Sequence, residues 1–345
     1  MKSSGALLRP HECGGSHLGV LSQIVIFVVA AIAALSAVPA HAGGLQIPDE
    51  AKQALNTLYS GDADGAISIA RKLESLEPDH PLGYLLEGEA RWWQRYCAAT
   101  EIKYGMVEAW KRSHEPEDED YFRLTDKAIQ AADSQLAKED TAELHFYKGM
   151  GWALKVRVYG LRSDNRLAAR AAVNGRAEML RALELDPDLA DATAALGIYN
   201  YYVSTLSPIV KVLRFFMGIP GGDKELGVKQ METGMTRGVV LDVDVRFILA
   251  RALRQYDQKY AQALQIAEPL TTRYPKNANF LLLLGNLNVE LGRNAKASGY
   301  FHSVTNLSAA DPPCSGCSGC PGCAAGRGCL THAREIANSF LASLH

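Results

Sequence analysis

Between residues 48 and 308 apolar side chains recur at steps of three and four, in amphipathic runs separated by short polar turns. That period is the helical one: such positions share one face of a helix, which must be buried against a neighbour. Ile67, Ala70, Leu73 and Leu76 form one stripe of this kind. The pattern predicts a first helical hairpin of 48–58 with 62–76, broken by Gly61 and closed by Glu77 and Pro78. A long aromatic-rich helix is expected over 82–110, with Trp92, Trp93, Tyr96, Tyr104 and Trp110 as packing residues, then a charged, solvated turn at 114–120. Further runs pair 126–136 with 142–159, 167–185 with 190–202, 245–256 with 260–273, and 279–291 with 295–307. A helix at 330–344 closes the series. Little or no sheet is expected, because the middle of the chain is rich in the strong helix formers Ala, Leu, Glu, Lys and Arg.

The turns repeat too. Pro78 and Gly88, Pro187 and Gly197, and Pro275 and Gly285 are each ten residues apart, with an amphipathic run on either side. Proline lacks the amide hydrogen a helix interior needs and so marks the turn, while the glycine lets a neighbouring helix approach closely. The predicted fold class is all-α, an α-solenoid of stacked antiparallel helical hairpins, which absorbs most of a 345-residue chain as one array. Two stretches interrupt the pattern. Residues 204–220 are strongly apolar with only Lys211 and Arg214 charged, which suits a helix buried in the array or one lying in a membrane interface. Gly221, Gly222 and Asp223 then form a turn in which Asp223 caps the next helix. No strand precedes this turn and no Gly-Lys-Ser/Thr ending follows, so it is not a nucleotide loop.

The N-terminus carries a pattern of its own. Lys2 and Arg9 precede an apolar stretch at 24–38, and Ala40-His41-Ala42 supplies the small residues a signal peptidase accepts. Residues 1–42 therefore read as a signal peptide, with the mature chain starting at Gly43 in the periplasm or the medium. The alternative is a membrane anchor through an uncleaved 24–38, although its strongly apolar part is shorter than the roughly 20 residues a span needs. The remaining divisions are a helical repeat domain at 43–311, a Cys/Gly-rich loop insert at 312–328 and a C-terminal capping helix at 329–345.

Charge excludes more than it names. Lys plus Arg number 36 against 38 for Asp plus Glu, so there is no basic footprint for nucleic acid. No metalloprotease, nucleophile-elbow or phosphate-loop motif occurs, and the reading assigns no catalytic residue, no enzyme activity and no cofactor. His145 is read as structural, since Gly149 stands where a second metal ligand would be. The chemically distinctive stretch is Cys314, Cys317, Cys320, Cys323 and Cys329. Thiolates with two residues between them can share a soft metal, which makes Cys314, Cys317, Cys320 and Cys323 candidate ligands, but ferredoxin spacing wants three residues before the fourth. Disulfides in an oxidising compartment and a plain low-complexity loop are the other readings.

Leu284, Gly285, Ala297 and Phe301 stand at the spacing of a tetratricopeptide repeat, and the chain resembles that family of 34-residue helix pairs over about residues 48–308. Ala66, Ala70 and Pro78 fit the first repeat, and Ala182, Pro187, Leu196 and Gly197 the middle. The chain departs from the pattern between Gly88 and Ala128, Gly149 and Gly175, and Gly197 and Gly227, where helices are longer or carry inserts, so regular superhelix curvature is not implied. One hairpin is also similar to the eukaryotic inclusion-body clearance repeat proteins, through Gly197-Ile198-Tyr199-Asn200, the Pro208 segment and 218–227, which implies a fixed architectural element there. The tetratricopeptide resemblance implies a non-enzymatic scaffold that presents a concave face, made by the first helices of the repeats, to a protein or peptide partner. On those helices Arg91, Arg95, Lys148, Lys155, Asn200 and Tyr201 are the candidate partner-binding residues. The alternative is a metal-binding or redox protein using 314–329. Membrane association would run through 24–38 or 204–220.

Overall fold

The computed structural model describes residues 44–208, 211, 214, 218–308 and 321–344, with side chains from 329 onward in the last segment. The expectations for residues 1–42, for the apolar centre of 204–220, and for Cys314, Cys317, Cys320 and the Cys323 side chain lie outside the described residues.

Thirteen helices and one β-hairpin are described. They are α1 (Asp49–Tyr59), α2 (Ala63–Leu76), α3 (Pro81–Ala99), β1 (Thr100–Lys103), β2 (Met106–Ala109), α4 (Glu117–Leu136), α5 (Ala142–Arg162), α6 (Asn165–Leu185) and α7 (Ala190–Thr205). After the 206–223 connection come α8 (Lys224–Arg237), α9 (Asp242–Asp257), α10 (Tyr260–Arg273), α11 (Ala278–Glu290), α12 (Asn294–Thr305) and α13 (Pro321–Ser343). Each odd-numbered helix from α1 to α11 packs on the even one after it, and successive odd helices α1, α3 and α5 also touch one another, as do α7, α9 and α11. This is the all-α array of stacked antiparallel hairpins that the periodicity predicts. Among the described residues no helix is long and apolar enough to cross a membrane.

Local chemistry sets the helix starts. The Asp62 carboxylate accepts the Gly65 amide at 2.8 Å, Asp223 accepts Leu226 at 3.0 Å as expected, and Asn277 accepts Asn279 and Phe280. Each acceptor satisfies an amide that the first turn leaves without a helical partner. Buried Asp191 on α7 does this for another helix, accepting the amides of Val239, Val240 and Leu241 at the start of α9.

The hairpin crossings are close. A Cβ on Gly227 would stand 2.7 Å from the Tyr201 amide nitrogen and 2.8 Å from the Gly197 carbonyl oxygen, so α7 and α8 meet backbone to backbone. Gly227→Val is expected to destabilise the fold by about 3 kcal/mol, the upper end of overpacking costs, because neither opposing atom is a side chain that could swing away. Urea unfolding checks this, and an unchanged midpoint would place no weight on the contact.

Three expectations are corrected. The helix over 82–110 stops at Ala99, and Thr100–Lys103 pairs antiparallel with Met106–Ala109. Tyr104 and Gly105 make the two-residue turn, both with positive φ (53° and 78°), the geometry whose twist matches a hairpin. The turn at 114–120 is not wholly solvated: α4 begins at Glu117, and Asp118 is buried against Arg95 and Arg112. The last helix begins at Pro321, inside the stretch expected to be loop.

The array also closes on itself. Trp93 on α3 meets Tyr59 of α1 at 5.9 Å between ring centroids, Phe247 of α9 at 5.0 Å and Phe280 of α11 at 5.6 Å. The Asn277 side-chain amide donates to the Tyr59 carbonyl, and the Tyr274 hydroxyl donates to Asn56. The start of the array is thus packed on its end, and Cys97 of α3 is disulfide-bonded to Cys329 of α13.

Candidate functional site

Inside the closed array lies a cavity of about 430 Å³, walled by α3, α5, α6, α7 and α9. The helical repeat supplies its lining directly: Trp92, Trp93 and Tyr96 share one face of α3, Ala153, Val156, Arg157 and Gly160 one face of α5, and Ala195, Tyr199, Tyr202 and Val203 one face of α7. Phe247, Ile248 and Arg251 come from α9, and Ala172 and Arg176 from α6. Lys111 stands at the rim just past β2, where the neighbouring Arg112 amide donates to the Leu161 carbonyl.

Two of the cavity's arginines are tied down from behind. Arg157 donates to Glu89 at 2.7 Å and also to Asp244, both carboxylates being buried. Arg251 donates to Glu108 at 3.0 Å, and Arg254 reaches the same carboxylate at 3.0 Å and the Val107 carbonyl at 2.8 Å. Asn286 of α11 completes this knot, accepting from Arg254 and donating to the Gly105 carbonyl. The β-hairpin is therefore fastened to α9 and α11 by ionic and amide bonds, and Ala109 at its end joins the wall. Arg176 is held differently, over the Tyr199 ring at 5.5 Å. Among the described residues neither Arg176 nor Lys111 has a carboxylate partner.

Burial pushes the Glu89 carboxyl from an ordinary 4.5 up to about 7; Arg157 opposes the rise and Asp244 adds to it. An unfolded Glu89 loses its proton near the ordinary value, whereas the folded protein keeps it until near 7. The folded state binds more protons in that window, so stability falls as pH rises through it. Glu89→Gln cannot ionise and is expected to flatten this slope. Urea midpoints at about pH 5 and about pH 7.5 measure it, and an undiminished slope in the variant would contradict the assignment.

The six candidates chosen on sequence lie on α3, α5 and α7, which wall the cavity, but not among the cavity-lining residues. Arg91 pairs with Glu87 at 2.6 Å, and buried Arg95 contacts Asp118 at 3.3 Å with its guanidinium over Tyr121. Lys148 bridges Asp133 and Glu178, both at 2.8 Å, and buried Lys155 pairs with Asp126. Asn200 donates to Gln230 at 2.7 Å, and the buried Tyr201 hydroxyl donates to Asp257. Arg91 pairs within α3, and the other five make contacts between helices. The lining residues stand a position or so away, at 92, 96, 156, 157, 199 and 202. Their aromatic spacing is visible in the sequence, where it reads as packing.

No protein-family model matches the chain, and no curated protein matches it. Among solved structures, the C-terminal part of a TPR repeat-containing protein from Cytophaga hutchinsonii is 16% identical, over 73% of this chain and 77% of that one, with a TM-score of 0.31. A monomeric mutant of IFIT1 with Gppp-AAAA is 12% identical, over 85% of this chain and 78% of that one, with a TM-score of 0.29. Neither likeness bears on what the cavity holds.

Among the described residues no group of three or more His, Cys, Asp or Glu side chains is placed to hold a metal ion. His145 sits between Glu178 at 2.6 Å and Asp140 at 2.7 Å, joining α5 to α6. Cys329, the last of the cysteine series, is engaged by Cys97 and not by its sequence neighbours.

Proposed function

We propose that the protein is a non-enzymatic binding scaffold that works outside the cytoplasm and takes its ligand in the concave cavity. The observation that carries this reading is the cavity itself, whose volume, apolar and aromatic walls and few polar groups are those of a ligand site. The helical-hairpin architecture favours a protein or peptide partner. Because the first helices pack on α9 and α11 through Trp93, such a partner would insert an apolar side chain instead of lying along an open groove. Filling the space tests the reading. Ala195→Trp, on the α7 wall, should abolish the fluorescence rise of anilinonaphthalene sulfonate on mixing with the protein while leaving helical content unchanged. An equal rise in the variant would move the site elsewhere.

Export is supported by the apolar stretch 24–38, by Ala40-His41-Ala42, and by the Cys97–Cys329 disulfide, a bond that persists in oxidising compartments. N-terminal sequencing of protein from cell fractions is expected to give Gly43 in the periplasm or medium. Cytosolic protein with Met1 intact would overturn this part. A metal or redox role for 314–329 has less support, since Cys329 is already paired.

A further inference from the structure

We propose that the cavity's ligand is a small amphipathic organic anion, an aliphatic or aromatic body carrying one carboxylate, drawn in by the two lining cations that have no carboxylate partner, Arg176 and Lys111. The proposal rests on the reading of the cavity as the binding site and names what fills it.

The lining contributes four cations, Lys111, Arg157, Arg176 and Arg251, in a chain whose net charge is −2. Arg157 is paired with Asp244 and Glu89, and Arg251 shares Glu108 with Arg254. Lys111 and Arg176 have no carboxylate partner among the described residues, so they are the lining cations left to meet a ligand. The Tyr202 hydroxyl has no hydrogen-bond partner among the described residues. The one carboxylate in the lining, Asp244, is already engaged by Arg157. The two uncommitted cations only donate and the Tyr202 hydroxyl can donate as well as accept, so what the cations lack is an acceptor with negative charge. A ligand bearing an ammonium group would meet uncompensated cations in a partly desolvated site, which is costly. The remainder of the wall, with Trp92, Tyr96 and Phe247, offers apolar area and no further acceptor in need of a donor. Trp93 packs the first helices on α9 and α11, so a protein partner could place only a side chain in the cavity, whereas a free small molecule can fill it.

Two probes with the same apolar body separate the terms: dansyl-aminoundecanoate and its methyl ester, titrated against the full-length mature protein by dansyl fluorescence. The acid is expected to bind about tenfold more tightly than the ester, the effect of one charge-assisted contact, with the ratio shrinking as salt is raised. In Arg176→Gln combined with Lys111→Gln the ratio should fall toward one while ester binding persists. Equal binding of acid and ester to the wild type, both abolished by Ala195→Trp, would overturn the anion proposal and leave the cavity as a binding site. Failure of both probes to bind would overturn the proposal and the reading beneath it. Binding of an end-blocked acidic peptide without binding of the acid probe would place a protein partner in the cavity and also overturn it.

Discussion

Glu108→Ala is expected to cost the fold about 3–5 kcal/mol, because it strips the carboxylate from the buried Arg254 and the partly buried Arg251 and leaves both charges uncompensated. Arg254 is completely buried and Arg251 partly so, and the Tyr96 hydroxyl also donates to Glu108 at 3.2 Å. The same change loosens the β-hairpin from α9 and with it the end of the cavity near Ala109. Burial alone would push the Glu108 carboxyl up, but Arg251 and then Arg254 outweigh it and hold it below the usual carboxylate range. A depressed folded value contributes stability above the unfolded pKa and loses it as pH falls through the folded one. Glu108→Gln should therefore be less stable than the wild type at neutral pH and should lose less on acidification. Urea titrations at neutral and acid pH measure both terms. A variant within about 1 kcal/mol of the wild type at neutral pH would mean that the arginines find other partners.

Removing the disulfide is expected to have the second large effect. Cys97 and Cys329 are 232 residues apart with Cα atoms 5.5 Å from each other, so the bond restrains nearly the whole unfolded array. The loss expected for Cys97→Ala combined with Cys329→Ala is about 2–5 kcal/mol. Part of the α13 docking survives it, since Ala333, Ile336, Ala337 and Phe340 remain buried and Phe340 stacks on Phe301 at 4.7 Å. The wild type in reductant should match the double variant in midpoint. No shift on reduction would show that α13 is held by packing alone.

The helical hairpins were legible because a period of three to four survives any local irregularity, and because proline turns and crossing glycines recur with it. The β-hairpin was not. Its strands are four residues each, and its turn is Tyr104-Gly105 in place of the Asn-Gly or Asp-Gly pairs that announce such turns. Thr100, Ile102 and Val107 carried the only strand signal. Closure of the array depends on rings from four separate helices meeting at Trp93, and no local pattern encodes that meeting. The ion pairs were equally hidden. Asp118 sits in an acidic run that reads as solvated, and its buried partner Arg95 lies 23 residues away. For the site, the helices could be read from the sequence and the facing side chains could not. Polarity singled out Arg91, Arg95 and Lys155, whereas the cavity takes the aromatic residues and Arg157 beside them.

The most direct measurement is native mass spectrometry of the protein purified from its own host without added ligand, wild type beside Ala195→Trp. A small acidic molecule is expected on the wild type, released on denaturation and missing from the variant. The same ligand mass on both proteins would contradict the claim that the concave cavity is the binding site.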